Sequence, residues 1–142
     1  KKLRFSVKKT MQVAQRLCVA RPADRPPLKV CLQVNIDGQA SKAGIAPEAA
    51  ADLARAVTQL PGLSLRGLMT LPAPAATFAA QRRPLRALRE LLESLCRQGV
   101  TLDTLSMGMS DDLEAAVAEG ATFLRIGTAL FGPRQGTPGN RL

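Results

Sequence analysis

The chain has 142 residues, of which 46% are hydrophobic and 22% charged, and its formal net charge is +9. This length can bury the core of one domain, but a complete (β/α)8 barrel typically needs about 250 residues. No apolar run approaches the roughly 18 residues of a membrane span, and no leader-like segment follows the basic start. The three cysteines have no metal-ligand spacing, and no histidine accompanies them, so we expect no metal and a reducing cytoplasm.

Positive charge is concentrated at the start of the chain. Residues 1–29 hold nine lysines and arginines against a single acidic residue. The spacing of Val13, Ala14 and Leu17 predicts a helix, so we interpret 1–27 as a basic helix with a proline-rich connector. A solvated helix face explains the charge. A basic nucleic-acid-binding adaptor is the lesser alternative, because the chain has no Tyr or Trp to stack on bases.

Strand and helix signals alternate through the rest of the chain. Apolar runs predict strands at 29–35, 63–70, 102–105 and 122–126. Apolar spacing predicts helices at 47–59 and about 77–98, and a start of the second helix just before Pro84 is the alternative. This alternation predicts an α/β fold with a parallel sheet. We therefore expect a partial β/α barrel over 28–134 and a flexible tail over 135–142.

The stretch between the last two predicted strands indicates a capped helix. Asp111 and Glu114 have the spacing of a capping box, and Gly120 is suited to end the helix. Leu113 and Val117 lie four residues apart, so we expect them to pack against the sheet. The strand, helix and strand together form a βαβ unit.

A βαβ unit brings the loops that follow its two parallel strands to the same edge of the sheet. The hydroxyl of Ser110 and the backbone N–H groups of Gly127 and Thr128 could then hold a phosphate together. The alternative is that these glycines only mark the ends of strands, because a lone Gly-Thr pair is a weak signal.

Four strings carry a resemblance to a known family: QVNIDGQASKAGI, RGLMTLPAP, SMGMSDD and RIGTALFG, in this order between about residues 28 and 134. They resemble the C-terminal part of the pyridoxal phosphate homeostasis proteins. That family has a (β/α)8 barrel similar to the N-terminal domain of alanine racemase and binds pyridoxal 5′-phosphate (PLP). The resemblance implies the C-terminal half of a TIM-type barrel, because the chain is too short for eight units.

The resemblance also implies a set of cofactor-binding residues. Ser110, Gly127 and Thr128 would contact the phosphate, and Arg125 would face the pyridine nitrogen. An arginine does not give up its proton, so that nitrogen would stay unprotonated and PLP would be a poor electron sink. The remaining candidates are Asn35 at the ring face and Met69 and Met107 as pocket lining, although methionines at strand ends also serve as core filling.

The lysine that forms the Schiff base in this family lies in the first strand of the barrel, and the resemblance implies that it is absent here. Lys8 or Lys9 is a weaker candidate for that role. Lys42 is interpreted as a loop or electrostatic contact. Cys31 and Cys96 are expected to be buried structural thiols.

The favoured function is a noncatalytic PLP-binding protein in intracellular vitamin B6 homeostasis. The alternative is a PLP-dependent amino-acid racemase-like enzyme, but the chain has no Tyr or His to act as the second base unless a partner supplies one. Expected partners are PLP, PLP-dependent apoenzymes and a second copy of the chain through uncovered sheet edges. We expect no catalytic residue, no membrane contact and no nucleic-acid contact.

Overall fold

The structure is a computed structural model that describes residues 5–7, 11–40 and 42–132. Its strands are β1 (Phe5–Val7), β2 (Leu28–Gln33), β3 (Leu63–Met69) and β4 (Thr104–Ser106). Its helices are α1 (Met11–Val19), α2 (Ala50–Thr58), α3 (Phe78–Arg97), α4 (Leu113–Ala118) and α5 (Thr128–Phe131), and a 3-10 turn (Pro47–Ala49) precedes α2.

The four strands form one parallel sheet in the order β1-β2-β3-β4. Helical crossovers connect successive strands, so the predicted parallel α/β architecture is confirmed. All carboxyl ends of the strands meet at one edge. We call this edge the carboxyl rim and define it as residues 34–37, 70–73, 107–110 and 124–128.

Apolar side chains from the sheet and the helices form one core. Val30 and Leu32 of β2 and Leu68 of β3 belong to it, together with Leu85 and Leu88 of α3. Each is almost completely buried, and burying one such side chain contributes about 1.5–3 kcal/mol. The core therefore fixes the strands whose ends form the rim.

The last predicted strand, 122–126, forms only a single parallel bridge between Phe123 and Ser106. The hydrogen bonds on either side of this bridge explain the difference. Before it, the N–H of Leu105 donates to the hydroxyl of Thr122 at 2.8 Å rather than to a backbone carbonyl. After it, the N–H of Arg125 donates to the carbonyl of Gly108 at 2.9 Å, whereas a ladder in register would use the carbonyl of Met107.

The long helix α3 begins at Phe78, so the range predicted from about residue 77 is confirmed and the alternative start just before Pro84 is wrong. Thr77 caps the helix, with its hydroxyl accepting from the N–H of Ala80 at 3.2 Å. A proline inside a helix costs about 3 kcal/mol. Burial of Leu85, Leu88 and Leu95 on one face offsets that cost.

The predicted capping box at the start of α4 is also wrong. The helix begins at Leu113, and the residue before it, Asp112, turns its carboxylate back to accept from the N–H of Met109 at 2.6 Å. Ala115 and Ala116 form the buried face, while Val117 is 59% exposed rather than packed on the sheet. Small side chains let α4 lie close to its neighbours.

Two further sequence expectations concern the cysteines and the basic start. Cys31 is fully buried in β2, and burial is the main reason why its pKa rises to about 12. Cys96 is exposed, so its prediction as a buried thiol is wrong.

Lys8 and Lys9 lie outside the described residues. β1 pairs with β2, and Ala14 of α1 belongs to the core, whereas the domain boundary at residue 27 stays a prediction.

Candidate functional site

Arg125 joins the ends of β3 and β4 at the carboxyl rim. Its Nη1 donates to the hydroxyl of Ser106 at 2.8 Å, and its Nη2 donates to the carbonyl of Thr70 at 2.7 Å. Its backbone N–H donates to the carbonyl of Gly108 at 2.9 Å. These three bonds fix both the backbone and the guanidinium plane of Arg125.

The Nε of Arg125 is buried and has no hydrogen-bond partner. Burial is also the main cause that lowers the pKa of this guanidinium, although an arginine remains protonated at neutral pH. A buried donor without an acceptor costs about 1–3 kcal/mol. The arginine is therefore suited to donate to an acceptor from a ligand, and the pyridine nitrogen of PLP is an acceptor of this kind.

Asn35 follows β2 at the same rim and carries an unpaired acceptor, whereas Arg125 carries an unpaired donor. Its Nδ2 donates to the carbonyl of Gln39 at 2.8 Å, while its Oδ1 is buried without a partner. Among the residues that the structure describes, these two atoms of Asn35 and Arg125 are the only buried side-chain nitrogen or oxygen atoms left unpaired. Both belong to residues predicted to bind the cofactor.

Thr70 bonds both to Arg125 and to Val34, the residue before Asn35. Its hydroxyl donates to the carbonyl of Val34 at 2.9 Å, and its carbonyl accepts from Arg125. One buried residue thus holds the end of β2 on one side and the guanidinium on the other. The two residues that carry unpaired atoms are therefore linked through Thr70 and the peptide bond between Val34 and Asn35.

A second set of contacts fastens two rim loops to each other. Asp37 accepts from the N–H of Ala73 at 2.6 Å through Oδ2, and the ammonium of Lys42 lies 3.4 Å from the same oxygen. Lys42 also donates to the carbonyl of Leu71 at 3.0 Å. Lys42 therefore makes loop contacts of the kind the sequence indicated.

The predicted phosphate loops leave the sheet side by side. The N–H of Met107 donates to the carbonyl of Phe123 at 3.1 Å, so the segments leading to Ser110 and Gly127 run in parallel to the same edge. Apart from Gly127 itself and its two chain neighbours, no described atom lies within 4 Å of the place where a Cβ on Gly127 would be. Thr128 begins α5. Open backbone beside Gly127 gives an anion room to approach.

Gly108 is required where the first loop turns. Its φ is +95°, and a Cβ there would lie 2.5 Å from the Cβ of Ala116 and 2.7 Å from Leu124. A residue with a side chain would be strained and would push α4 away from the rim. Gly108 therefore allows a tightly packed turn two residues before Ser110.

The two methionines differ in their surroundings. Met107 is fully buried and belongs to the main core, which agrees with the alternative of core filling. Met69 is buried at the carboxyl end of β3, one residue before Thr70. The role of either side chain in a cofactor pocket stays a prediction.

Sequence reasoning missed Thr70, Ser106 and Asp37 as parts of the site. A signal was available for the first two, because each is a polar residue at the carboxyl end of an apolar strand. Asp37 had no comparable signal, since Ala73, whose N–H it accepts, lies 36 residues away along the chain.

The described helices include none that is long and apolar enough to cross a bilayer. The described residues also contain no group of Cys, Asp and Glu side chains placed to hold a metal ion.

Residues 2–135 match the family model of the alanine racemase N-terminal domain. A curated pyridoxal phosphate homeostasis protein from Pseudomonas aeruginosa is 62% identical over 124 residues, and one from Escherichia coli K12 is 47% identical over the same length. Each alignment covers 87% of this chain and 53% of the relative. The chain thus spans about half the length of these relatives.

Solved structures of related proteins are also similar to this chain. PipY from Synechococcus elongatus without PLP is 35% identical, with a TM-score of 0.79 over 89% of this chain and 60% of PipY. PipY with PLP bound is 32% identical, with a TM-score of 0.77 over 89% and 59% of the two chains. Alanine racemase from Corynebacterium glutamicum, at 16% identity and a TM-score of 0.68 over 94% and 36%, shows a shared fold.

Proposed function

We propose, since this chain belongs to the alanine racemase N-terminal domain family, that it binds PLP at the carboxyl rim and takes part in PLP homeostasis without catalysing a reaction. The curated relatives are named pyridoxal phosphate homeostasis proteins, and PipY has been solved with PLP bound. The observation that carries the proposal in this chain is the buried, unpaired Nε of Arg125.

Arg125 is the residue that would hold the pyridine nitrogen. Its two Nη atoms are already bonded to Ser106 and Thr70, and its buried Nε carries a donor without a partner. Bound PLP supplies an electron-withdrawing ring, and its power depends on protonation of the ring nitrogen. A guanidinium keeps that nitrogen unprotonated, which supports a carrier rather than a catalyst.

Ser110, Gly127 and Thr128 would hold the phosphate. The parallel course of their two loops and the open backbone beside Gly127 support this assignment. Phosphate sites of β/α barrels commonly lie in loops after the last strands, which agrees with these positions. Asn35 and Met69 would line the ring side of the same site.

The wider role is part of the proposal. The chain would supply the carboxyl-terminal half of an eight-stranded barrel, with the family's Schiff-base lysine in the other half. PLP-dependent apoenzymes would be the recipients of the cofactor. The free thiols of Cys18, Cys31 and Cys96 agree with a reducing cytoplasm. Self-association through sheet edges stays a prediction.

Equilibrium dialysis against PLP tests this function. We expect reversible binding by the wild-type chain and weaker binding by the double variant Ser110→Ala, Thr128→Ala, with a loss of roughly 1–3 kcal/mol for each charged hydrogen bond removed. Thr101→Ala is the matched control, because Thr101 is exposed and precedes β4 at the opposite edge of the sheet.

Borohydride reduction followed by peptide mapping belongs to the same experiment. It reports whether any lysine of this chain is modified by PLP. The proposal predicts that retention of PLP before reduction depends on Ser110 and Thr128, whichever result the mapping gives. Unchanged retention in the double variant would place the PLP site elsewhere and contradict the assignment.

A further inference from the structure

We propose that Asn35 accepts a hydrogen bond from the ring hydroxyl of the bound cofactor, so that the site selects the tautomer with a protonated hydroxyl and a bare ring nitrogen. This inference rests on the proposed function and assigns a specific role to Asn35. It starts from the fact that the two unpaired buried atoms are opposite in kind, an acceptor on Asn35 and a donor on Arg125.

The orientation of the Asn35 amide is fixed by its other contact. Nδ2 donates to the carbonyl of Gln39 at 2.8 Å. Rotating the amide by half a turn would bring Oδ1 against that carbonyl, and two acceptors would then face each other. The unpaired atom of Asn35 is therefore the oxygen, which requires a donor.

The two atoms lie on one stretch of the carboxyl rim. Thr70 bonds to Val34, the residue before Asn35, and also receives Arg125. β2 and β3 are direct neighbours in the sheet, and Gln33 and Met69 are paired in register immediately before these rim residues. A ligand that reaches Arg125 over the end of β3 therefore approaches the residue that follows β2.

A 3-hydroxypyridine ring without net charge carries one mobile proton. The proton lies either on the nitrogen, which gives a dipolar ion, or on the oxygen, which gives a neutral ring. The dipolar ion would place a ring N–H against the N–H of Arg125 and a phenolate against the carbonyl oxygen of Asn35. Both contacts are repulsive, whereas the neutral ring satisfies both protein atoms at once.

The hydroxyl contact also adds to what Arg125 does alone. A guanidinium disfavours a protonated nitrogen but leaves the ring free to lose its hydroxyl proton to solvent. The Oδ1 atom of Asn35 can only accept a hydrogen bond, so it disfavours the resulting phenolate. Asn35 is thus a specificity-determining residue for the protonation state of the ligand.

The test pairs a change in the protein with a change in the ligand. The ligands are 4-deoxypyridoxine 5′-phosphate, which has no aldehyde, and the same compound with hydrogen in place of its ring hydroxyl. We expect the wild-type chain to bind the hydroxyl compound about tenfold more tightly, and Asn35→Ala to bind the two compounds about equally. Gln39→Ala is the control, because it keeps the carbonyl that Asn35 contacts and removes only an exposed side chain.

The near-ultraviolet spectrum of the bound hydroxyl compound gives a second readout, because the dipolar ion and the neutral ring absorb at different wavelengths. We expect the neutral spectrum with the wild-type chain and an increased share of ionised hydroxyl with Asn35→Ala. A preference for the hydroxyl compound that is the same in both proteins would overturn the inference and leave the proposed function intact. Failure of both compounds to bind the wild-type chain would overturn both.

Discussion

Arginines take part in two buried polar clusters of this chain, one around Glu119 and one around Arg125, and the two clusters differ in how fully their atoms are paired. Between α3 and α4, the carboxylate of Glu119 is 2% exposed and receives Arg82 at 2.6 Å and Arg86 and Arg89 at 3.3 Å. At the carboxyl rim, Arg125 uses its two Nη atoms and leaves Nε unpaired. The carboxylate of Glu119 is paired without a ligand, whereas the Nε of Arg125 has no partner.

This difference separates a stabilising cluster from a binding site. Buried polar groups in proteins normally have a hydrogen-bond partner, so a buried group without one indicates a special role. The arginines around Glu119 connect two helices and need no further partner. The network around Arg125 joins the guanidinium to a hydroxyl and a backbone carbonyl, and its unpaired donor and the unpaired acceptor of Asn35 point to a ligand.

The largest effect is expected from Arg125→Leu. The variant removes the donor to the ring nitrogen and leaves Ser106 and Thr70 without their guanidinium partner. We expect PLP affinity to fall by about 2–3 kcal/mol, the value of a hydrogen bond from a charged group, as measured by equilibrium dialysis. Arg83→Leu, which removes an exposed arginine of α3, is the control. Equal loss in both variants would mean that only overall charge matters.

Glu119→Gln addresses the other region. Removing the carboxylate leaves three guanidiniums without their shared charge, but water screens the cluster, because the side chain of Arg82 is 33% exposed and that of Arg86 49%. We expect the free energy of unfolding to fall by about 1–2 kcal/mol in urea denaturation, with PLP binding unchanged. Glu114→Gln, on the exposed side of α4, should have little effect. Loss of PLP binding in Glu119→Gln would contradict the separation of the two regions.

The same cluster predicts a dependence of stability on pH. Burial alone would raise the pKa of Glu119, but the hydrogen bonds from Arg82 and Arg89 outweigh it, so the pKa lies below its ordinary value of 4.5. The cluster therefore contributes stability above about pH 4.5 and loses it as the pH falls through the lower, folded value. Urea titrations at several pH values should show this acid-side loss in the wild type and a smaller one in Glu119→Gln. Identical profiles would contradict the prediction.

The smallest effect is expected from Thr70→Val. Valine keeps the shape of the side chain and the carbonyl that receives Arg125, but it removes the hydroxyl bonded to Val34 at 2.9 Å. We expect a loss of about 1 kcal/mol in unfolding free energy and a smaller change in PLP affinity. Thr101→Val, at an exposed position, should leave both quantities unchanged. A loss of PLP affinity as large as that of Arg125→Leu would show that Thr70 itself meets the ligand.

The sequence predicted the parts of the fold that depend on apolar runs. β2, β3 and the long helix α3 lie close to their predicted ranges, because burial of their leucines and valines decides their structure. Predictions failed where one polar side chain decides between two local bonds. Asp112 turns back to Met109 instead of capping forward, and the Thr122 hydroxyl accepts the N–H of Leu105 in place of a backbone carbonyl.

The candidate site shows the same division. Ser110, Arg125 and Gly127 were predicted from motifs that lie within a short stretch of chain, and their role in binding stays a prediction. The partners of Arg125 were not, since Thr70 lies 55 residues away and meets it only after the sheet has formed. The unpaired atoms of Asn35 and Arg125 also depend on which neighbours fail to reach them, and no local pattern contains that information.

A crystal structure of the chain with PLP tests the central claim most directly. The account predicts the phosphate between the loops of Ser110 and Gly127, with the pyridine nitrogen within hydrogen-bond distance of the Nε of Arg125. It also predicts that the contacts of Arg125 with Ser106 and Thr70 persist. PLP bound away from the carboxyl rim, or a ring nitrogen that does not meet Arg125, would contradict it.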